Sequence, residues 1–340
     1  MLGIFALIIR RESMMFGISL KPKMIIMLTI GMMWLAATSL FLNMSPWNTW
    51  EIFGIVLLWI IYSTWVLVPI VILRDIISLR YKIPVLGMSI ITILRLGLGI
   101  YQGTTIKITP LSILSNQISK NYKIIFISDM HIEAIHNGWY VQSIVNHIKK
   151  LQPDIVIIGG DLMNTAKLKY VNAFLTFNQL TMPIYATVGN HDHMGNSSAI
   201  QQIFGKTKII PLRNQSISVD GIQIVGIDDK SYRGNKKLPD ILKESNMSDS
   251  GQFTILVSHE PENLKKLTGF PINLELAGHT HNGQFIPMNW IIRFFNDYSY
   301  GEYHLDTMTA FVSQGVGSWW APIRIWTQSE IVLISLQKKQ

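Results

Sequence analysis

The chain has 340 residues, of which 49% are hydrophobic and only 15% charged, with a net charge of +8 and no cysteine. The length suits about two domains, and the missing cysteines exclude a disulfide framework and thiolate metal sites. Residues 1–101 carry eight Lys or Arg against three Asp or Glu, whereas residues 102–340 carry 21 against 18. The basic excess thus lies beside apolar runs. No basic patch is interleaved with aromatics, so membrane topology is expected and a nucleic-acid partner is not.

Met1–Ile9 is apolar but too short to span, and Arg10, Arg11 and Glu12 end it. Residues 24–44 and 52–73 run for 21 and 22 residues without a charge, and about 20 suffice to cross a bilayer. Residues 83–100 form a third predicted span, interrupted by Arg95. Trp34, Trp47, Trp50, Trp59 and Trp65 lie in or beside the first two, as interfacial aromatics do. The second apolar run, and the lack of a small-residue cleavage site behind the first, argue against a cleaved signal peptide. Residues 1–101 are therefore expected to be a membrane region of about three transmembrane helices, and 102–340 a separate domain. Arg10, Arg11, Lys21 and Lys23 precede the first run, and Arg74, Arg80 and Lys82 follow the second. The positive-inside rule makes both flanks cytoplasmic. Three spans then place the domain outside a bacterial inner membrane. If 83–100 lies along the inner surface instead, the domain is cytoplasmic, and Arg95 favours that, since a cation at mid-membrane costs several kcal/mol.

From Tyr101 the texture changes. Ile106 and Ile108 alternate with polar neighbours, predicting an edge strand. Lys123–Ser128 reads as a buried strand. Asn137–Leu151 reads as a helix, with Val141, Ile144, Val145 and Ile148 recurring at three and four and Pro153 closing it. Asp154–Ile158 is the next strand, Ala166–Leu180 a helix, and Ile184–Val188 a strand. That alternation predicts a largely parallel sheet. Ile209–Leu212, Ile217–Val219, Ile222–Ile227, Phe253–Val257, Leu274–Ala277, Ala310–Ser313 and Ile331–Leu336 predict a second set of strands. Asp220-Gly221 marks a hairpin, and Ser231–Ser250 mixes loop with a short helix.

Five polar clusters stand at strand ends: Ser128-Asp129-Met130-His131, Gly159-Gly160-Asp161, Gly189-Asn190-His191-Asp192, Ser258-His259-Glu260-Pro261 and Gly278-His279-Thr280-His281. Asp-x-His and His-x-His at a strand end put alternate side chains on one face. Oxygen and nitrogen donors without sulfur suit Mn, Fe or Zn. A lone histidine is more often structural, which covers His136, His147 and His193; five such clusters together point to a metal site.

In these clusters the chain resembles the calcineurin-like metallophosphoesterases, whose signature is D-x-H, G-D, G-N-H-D/E, a lone H and G-H-x-H. It resembles most the membrane-attached bacterial branch typified by YkuE and YaeI, through Leu151–Ile155, Gly278–Gln284 and Val312–Gly317. The resemblance spans residues 105–337 and implies a four-layer α/β/β/α sandwich holding two divalent metal ions. Asp129, His131 and His281 would hold the first, Asn190, His259 and His279 the second, and Asp161 would bridge them. His191 would approach the phosphate, with Asp192 fixing its ring, while hydroxide between the cations attacks phosphorus. Asn282, Gln314 and Asp192 depart from the family's common Gly, Arg and Glu. The implied protein is a membrane-anchored phosphodiesterase or pyrophosphatase whose partners are the lipid bilayer and a phosphate ester, lipid-linked or from the cell envelope. The alternative is an inactive, membrane-tethered binding or scaffold protein. Two apolar stretches, Phe285–Phe295 and Trp319–Ile323, are either core packing or a rim that dips into lipid.

Overall fold

The structure is a computed structural model that describes residues 85–339 apart from 134–135, 250, 263, 287, 307 and 320–321. The predicted spans 24–44 and 52–73 lie outside the described residues. Two compact units divide between Leu98 and Gly99, and helix α1, Val85–Thr104, runs through the boundary. The third predicted span, 83–100, overlaps α1, yet among the described residues no helix is long and apolar enough to cross a membrane. Arg95 interrupts the run. The last turn of α1 is also tied into protein: Gly99 O accepts from Arg324 N at 3.0 Å and Gln102 O from Ser329 N at 3.0 Å.

Gly99–Gln340 is a mixed α/β unit with two six-stranded sheets. In chain order its elements are β1 (Lys107–Ser115), β2 (Tyr122–Ile127), α2 (Gly138–Leu151), β3 (Ile155–Gly159), a 3-10 helix (Leu168–Gln179), β4 (Ile184–Thr187), α3 (Ser197–Lys206), β5 (Ile209–Pro211), β6 (Gln215–Val219) and β7 (Ile222–Gly226). There follow α4 (Leu238–Glu244), β8 (Phe253–Val257), α5 (Leu264–Leu267), β9 (Leu274–Ala277), α6 (Met288–Phe295), β10 (Gly301–Leu305), β11 (Met308–Val312) and β12 (Glu330–Lys338). The first sheet runs β1-β12-β2-β3-β4-β5 and the second β10-β11-β9-β8-β7-β6. β2 through β5 are parallel, as are β7, β8, β9 and β11.

Three cores hold these elements together. In one, Val141, Ile144, Val145 and Ile148 of α2 and Ile200 and Ile203 of α3 pack on the first sheet. A second lies between the sheets, where Ile124, Phe126 and Ile157 meet Ile224, Ile255 and Leu276. The third joins the second sheet to Ile241 and Leu242 of α4 and Leu264 and Leu267 of α5. Each apolar side chain so buried contributes about 1.5–3 kcal/mol. Helix α2 starts where the Asn137 side chain accepts from Trp139 N and stops at Gln152 in the left-handed region, just before Pro153.

The helix expected over 166–180 is present as a 3-10 helix, Leu168–Gln179. Its buried residues Val171, Phe174 and Phe177 recur every three positions, which is the 3-10 period. Two strand expectations need correction. Ile331–Leu336 and Ile209–Leu212 do not join the second strand set. β12 inserts between β1 and β2, antiparallel to β2, and β5 extends β4. β1 is the edge strand of the first sheet, where Pro110 is tolerated. Asp220 and Gly221 turn the β6–β7 hairpin, both at positive φ.

Candidate metal centre

The site gathers at the carboxyl ends of five parallel strands, where crevices in α/β sheets form. β2 leads to Asp129 and His131, β3 to Asp161, β4 to Asn190, β8 to His259, and β9 to His279 and His281. Backbone bonds stitch these ends together: Asp129 N to Gly160 O at 3.0 Å, His131 N to Asp161 O at 3.0 Å and Gly278 N to His259 O at 2.9 Å. Asp129, His131, Asp161, His279, His281 and Asn282 all have φ between 44 and 69°. Non-glycine residues rarely adopt that region, and Asp, Asn and His tolerate it best. Such a cluster of strained backbones marks a place where side chains are aimed at a cost. It also accounts for Asn282, since glycine is the commoner solution at such a φ. Gly189 and Gly278 are required by close approach: a Cβ at either would strike the Asp161 or the Asp129 carboxylate.

The structure brings all seven predicted ligands together. Asp129, His131 and His281 offer donor atoms within 4.8 Å of one another, and so do Asp129, Asp161 and His259. His131 Nε2 lies 2.9 Å from His281 Nε2. Asp161 Oδ2 stands between the two groups, 3.4 Å from His131 Nε2 and 3.2 Å from His259 Nε2. Asn190 Oδ1 and His279 Nδ1 are 3.1 and 3.3 Å from His259 Nε2. Five of the seven are buried, Asn190 and His279 are half-buried, and the His279 side chain is 38% exposed.

Burial and mutual proximity set the charges. Burial pushes His131 down to about 3 and His281 well below the ordinary histidine range, with His131 and Arg324 adding to the effect on His281. Burial likewise lowers His279 and raises Asp129. Burial opposes the charged forms of Asp161 and His259, but their mutual attraction prevails, holding Asp161 low and His259 well above its usual value. His131, His279 and His281 as neutral imidazoles and Asp161 as a carboxylate are in the forms that ligate divalent cations, whereas His259 and Asp129 would give up a proton to a bound cation. Oxygen and nitrogen donors crowded this closely in a buried place fit such a cation.

His191 follows β4 and opens a short 3-10 turn, His191–His193. Its ring centroid is 4.9 Å from that of His131. Its Nδ1 donates to the Asn164 carbonyl at 2.7 Å, which leaves Nε2 as the exchangeable position. The expected contact from Asp192 to this ring is absent. The buried Asp192 carboxylate instead accepts from Leu162 N at 2.8 Å, Met163 N at 3.2 Å and Gly189 N at 2.9 Å. Its pKa is pushed up to about 7, first by burial and then by the Asp161 charge. Asp192 is a positioning residue for the loops that carry Asp161 and Asn190. The reason is its place on the tight turn: with φ −64° at Asn190, the carboxylate folds back over the two strand ends.

Arg324 had no signal among the motifs. It is fully buried, and its guanidinium donates to Gln314 O at 2.5 Å and Gly317 O at 2.6 Å and lies 3.2 Å from His281 Nδ1. Burial lowers it to about 10. Gln314 turns to Glu330, its N donating to Oε1 at 2.9 Å. His136 stacks on Tyr140, His147 accompanies Ser143 O, and His193 stacks on Tyr232, all as structural residues. A cavity of about 240 Å³ opens onto His131, Asp161, His191, His279 and His281, and is also lined by Gln284, Phe285, Met288, Ile292, Asn296 and Trp319.

Residues 122–283 match the family model of the calcineurin-like phosphoesterases. A metallophosphoesterase of Helicobacter pylori strain J99 is 32% identical over 249 residues, covering 71% of this chain and 67% of that protein. The chain belongs to the calcineurin-like metallophosphoesterases. YkuE, a metallophosphoesterase of Bacillus subtilis, is 30% identical over 64% of this chain and 79% of its own length. A Bos taurus transmembrane protein with a metallophosphoesterase domain is 28% identical over 63% of this chain and 53% of its own. As a calcineurin-like metallophosphoesterase the chain is a phosphoester hydrolase with a cluster of Asp and His residues suited to metal.

Proposed function

We propose that the chain is a membrane-anchored phosphodiesterase or pyrophosphatase with two divalent cations, acting on a lipid-linked or cell-envelope phosphate ester. The observation that carries this is the convergence of seven ligand side chains from five strand ends, four of which, His131, Asp161, His279 and His281, line one cavity. Asp129, His131 and His281 would hold one cation, and Asn190, His259 and His279 the other, with Asp161 facing both. Manganese, iron or zinc suits the donors. Bound cations would lower the pKa of water and neutralise phosphate oxygens. His191, aimed by the Asn164 carbonyl, protonates or hydrogen-bonds the leaving oxygen. The cores on both faces of each sheet support a four-layer sandwich over 102–340. The uncharged runs 24–44 and 52–73 would anchor it. By the positive-inside rule a third crossing at 83–100 would put the catalytic unit outside a bacterial inner membrane, and Arg95 within that run supports the cytoplasmic face as the alternative.

The test is full-length protein stripped of metal and reloaded with Mn²⁺, Fe²⁺ or Zn²⁺, assayed on p-nitrophenyl mono- and diesters with metal content measured in parallel. Diester cleavage that requires metal is expected. His191→Ala should lower turnover about 10²–10⁴-fold with metal retained. Metal bound without hydrolysis of any ester would mean a scaffold. Loss of metal in His191→Ala would make His191 a ligand.

A further inference from the structure

Resting on that phosphoesterase assignment, we propose that helix α6, together with Trp326, is a bilayer-docking lip, and that the substrate is a phosphate ester carrying a long apolar chain. A surface helix ordinarily buries its apolar side. Helix α6 does the reverse: Asn289 is buried, while Trp290, Ile291, Phe294 and Phe295 are 60, 41, 85 and 76% exposed. Trp326 is 68% exposed, with its ring 6.5 Å from Trp290. Its backbone sits at φ 64°, which is unusual for a bulky residue. Both neighbours are pinned to one carbonyl, Ile325 N and Thr327 Oγ1 each donating to Gln284 O. The fold therefore holds Trp326 outward against local strain. With aromatic side chains of about 150–250 Å² each, Trp290, Phe294, Phe295 and Trp326 leave on the order of 600 Å² exposed, at the upper end for a soluble monomer.

The occupant follows from where the remaining chain is attached. Residues 1–84, with their two uncharged runs, lead into α1. The last turn of α1 packs on the segment that carries Trp326. A Cβ at Gly103 would strike Pro322, and Ser329 Oγ donates to Gly103 O at 2.8 Å. Ile100 and Tyr101 in this turn are 44 and 59% exposed. Residues 99–104 thus pack on the segment that carries Trp326, and the uncharged runs 24–44 and 52–73 precede them in sequence. Tryptophan and phenylalanine beside Arg293, the lone charge of α6, suit the headgroup zone of an anionic membrane.

Helix α6 also connects lip to site. Met288 and Ile292 line the same cavity as His131, Asp161, His191 and His279. A phosphate facing the histidines would lay its first methylenes on Phe285, Met288 and Ile292. The rest of an apolar chain would continue into the bilayer beside Trp290 and Phe294. Among the lining residues Gln284 and Asn296 are polar, and Phe285, Met288, Ile292 and Trp319 supply the apolar surface for that chain.

The experiment uses the full chain, wild type and Phe294→Ser/Phe295→Ser, in phosphatidylethanolamine–phosphatidylglycerol vesicles. The probes are hexadecyl p-nitrophenyl phosphate in the vesicles and methyl p-nitrophenyl phosphate in solution. The double variant should lose about tenfold or more on the hexadecyl ester and keep its rate on the methyl ester. Equal loss on both, or none on either, overturns the lip. Wild-type protein that binds metal but cleaves neither ester would refute the phosphoesterase assignment itself. The chain has no cysteine, so Phe294→Cys carrying an environment-sensitive dye gives a readout without catalysis. Quenching by lipid-borne nitroxide and protection from iodide are expected, with Lys243→Cys showing the opposite. Iodide access equal at both positions overturns the proposal. So does protection that grows with protein concentration, which would make a second copy the occupant.

Discussion

Replacing Asp192 separates two accounts of this carboxylate. If it fixed the His191 ring, its loss would damage proton transfer and spare the metals. The structure instead puts three backbone N–H groups on it, at 2.8, 3.2 and 2.9 Å, from Leu162, Met163 and Gly189. Leu162 and Met163 follow Asp161, and Gly189 precedes Asn190. Asparagine keeps Oδ1 for Leu162 and Met163 but turns its NH₂ toward the Gly189 N–H, where two donors meet. One hydrogen bond to a charged group is lost, worth about 1.5–3 kcal/mol. Alanine leaves all three N–H groups unpaired at about 1–3 kcal/mol each, a large part of an ordinary stability of about 5–15 kcal/mol. Asp192→Asn should therefore unfold about 2 kcal/mol more easily in urea and bind less metal, and Asp192→Ala should do worse on both counts. Urea titration, elemental analysis and the pH profile of kcat are measured on the same preparations. An Asp192→Asn enzyme with full stability and full metal load but collapsed turnover would show that the carboxylate works through the imidazole.

Arg324→Met should destabilise by about 3–5 kcal/mol, because the Gln314 and Gly317 carbonyls lose their buried donor. Arg324→Lys should recover part of this in urea titration, without the forked geometry. Glu275 is fully buried and pushed up to about 7 by burial. Its folded form keeps a proton where the unfolded form, near 4.5, has lost it. Stability is then fully present below about pH 4.5 and falls as the pH rises through 7, by on the order of 3 kcal/mol. Glu275→Gln should flatten that slope in thermal unfolding between pH 5 and 8, and an unchanged slope would assign the dependence elsewhere.

What the sequence discloses and what it hides divide along physical lines. Short apolar runs ending in Asp, Asn or His are local patterns, so β2, β3, β4, β8 and β9 and the seven converging side chains were legible. Pairing is not local. Ile331–Leu336 looks like any other strand, and only the closed sheet places it between β1 and β2. The partner of the His191 ring is a main-chain carbonyl, Asn164 O, which leaves no trace in residue identity. The ring-fixing role that the motif suggests for Asp192 therefore falls to the backbone. Arg324 carried a weak signal, a single cation within an apolar stretch, Trp319–Trp326. Its first part, Trp319–Ile323, reads from sequence as core packing or lipid contact, whereas beyond it Arg324 turns inward and Trp326 outward. Charge in and ring out is the opposite of what solvent alone selects. One short segment thus faces two different environments, with buried carbonyls and His281 on one side and the exposed α6 aromatics on the other. Hydropathy averaged over a window merges those two sides, and only side-chain direction separates them.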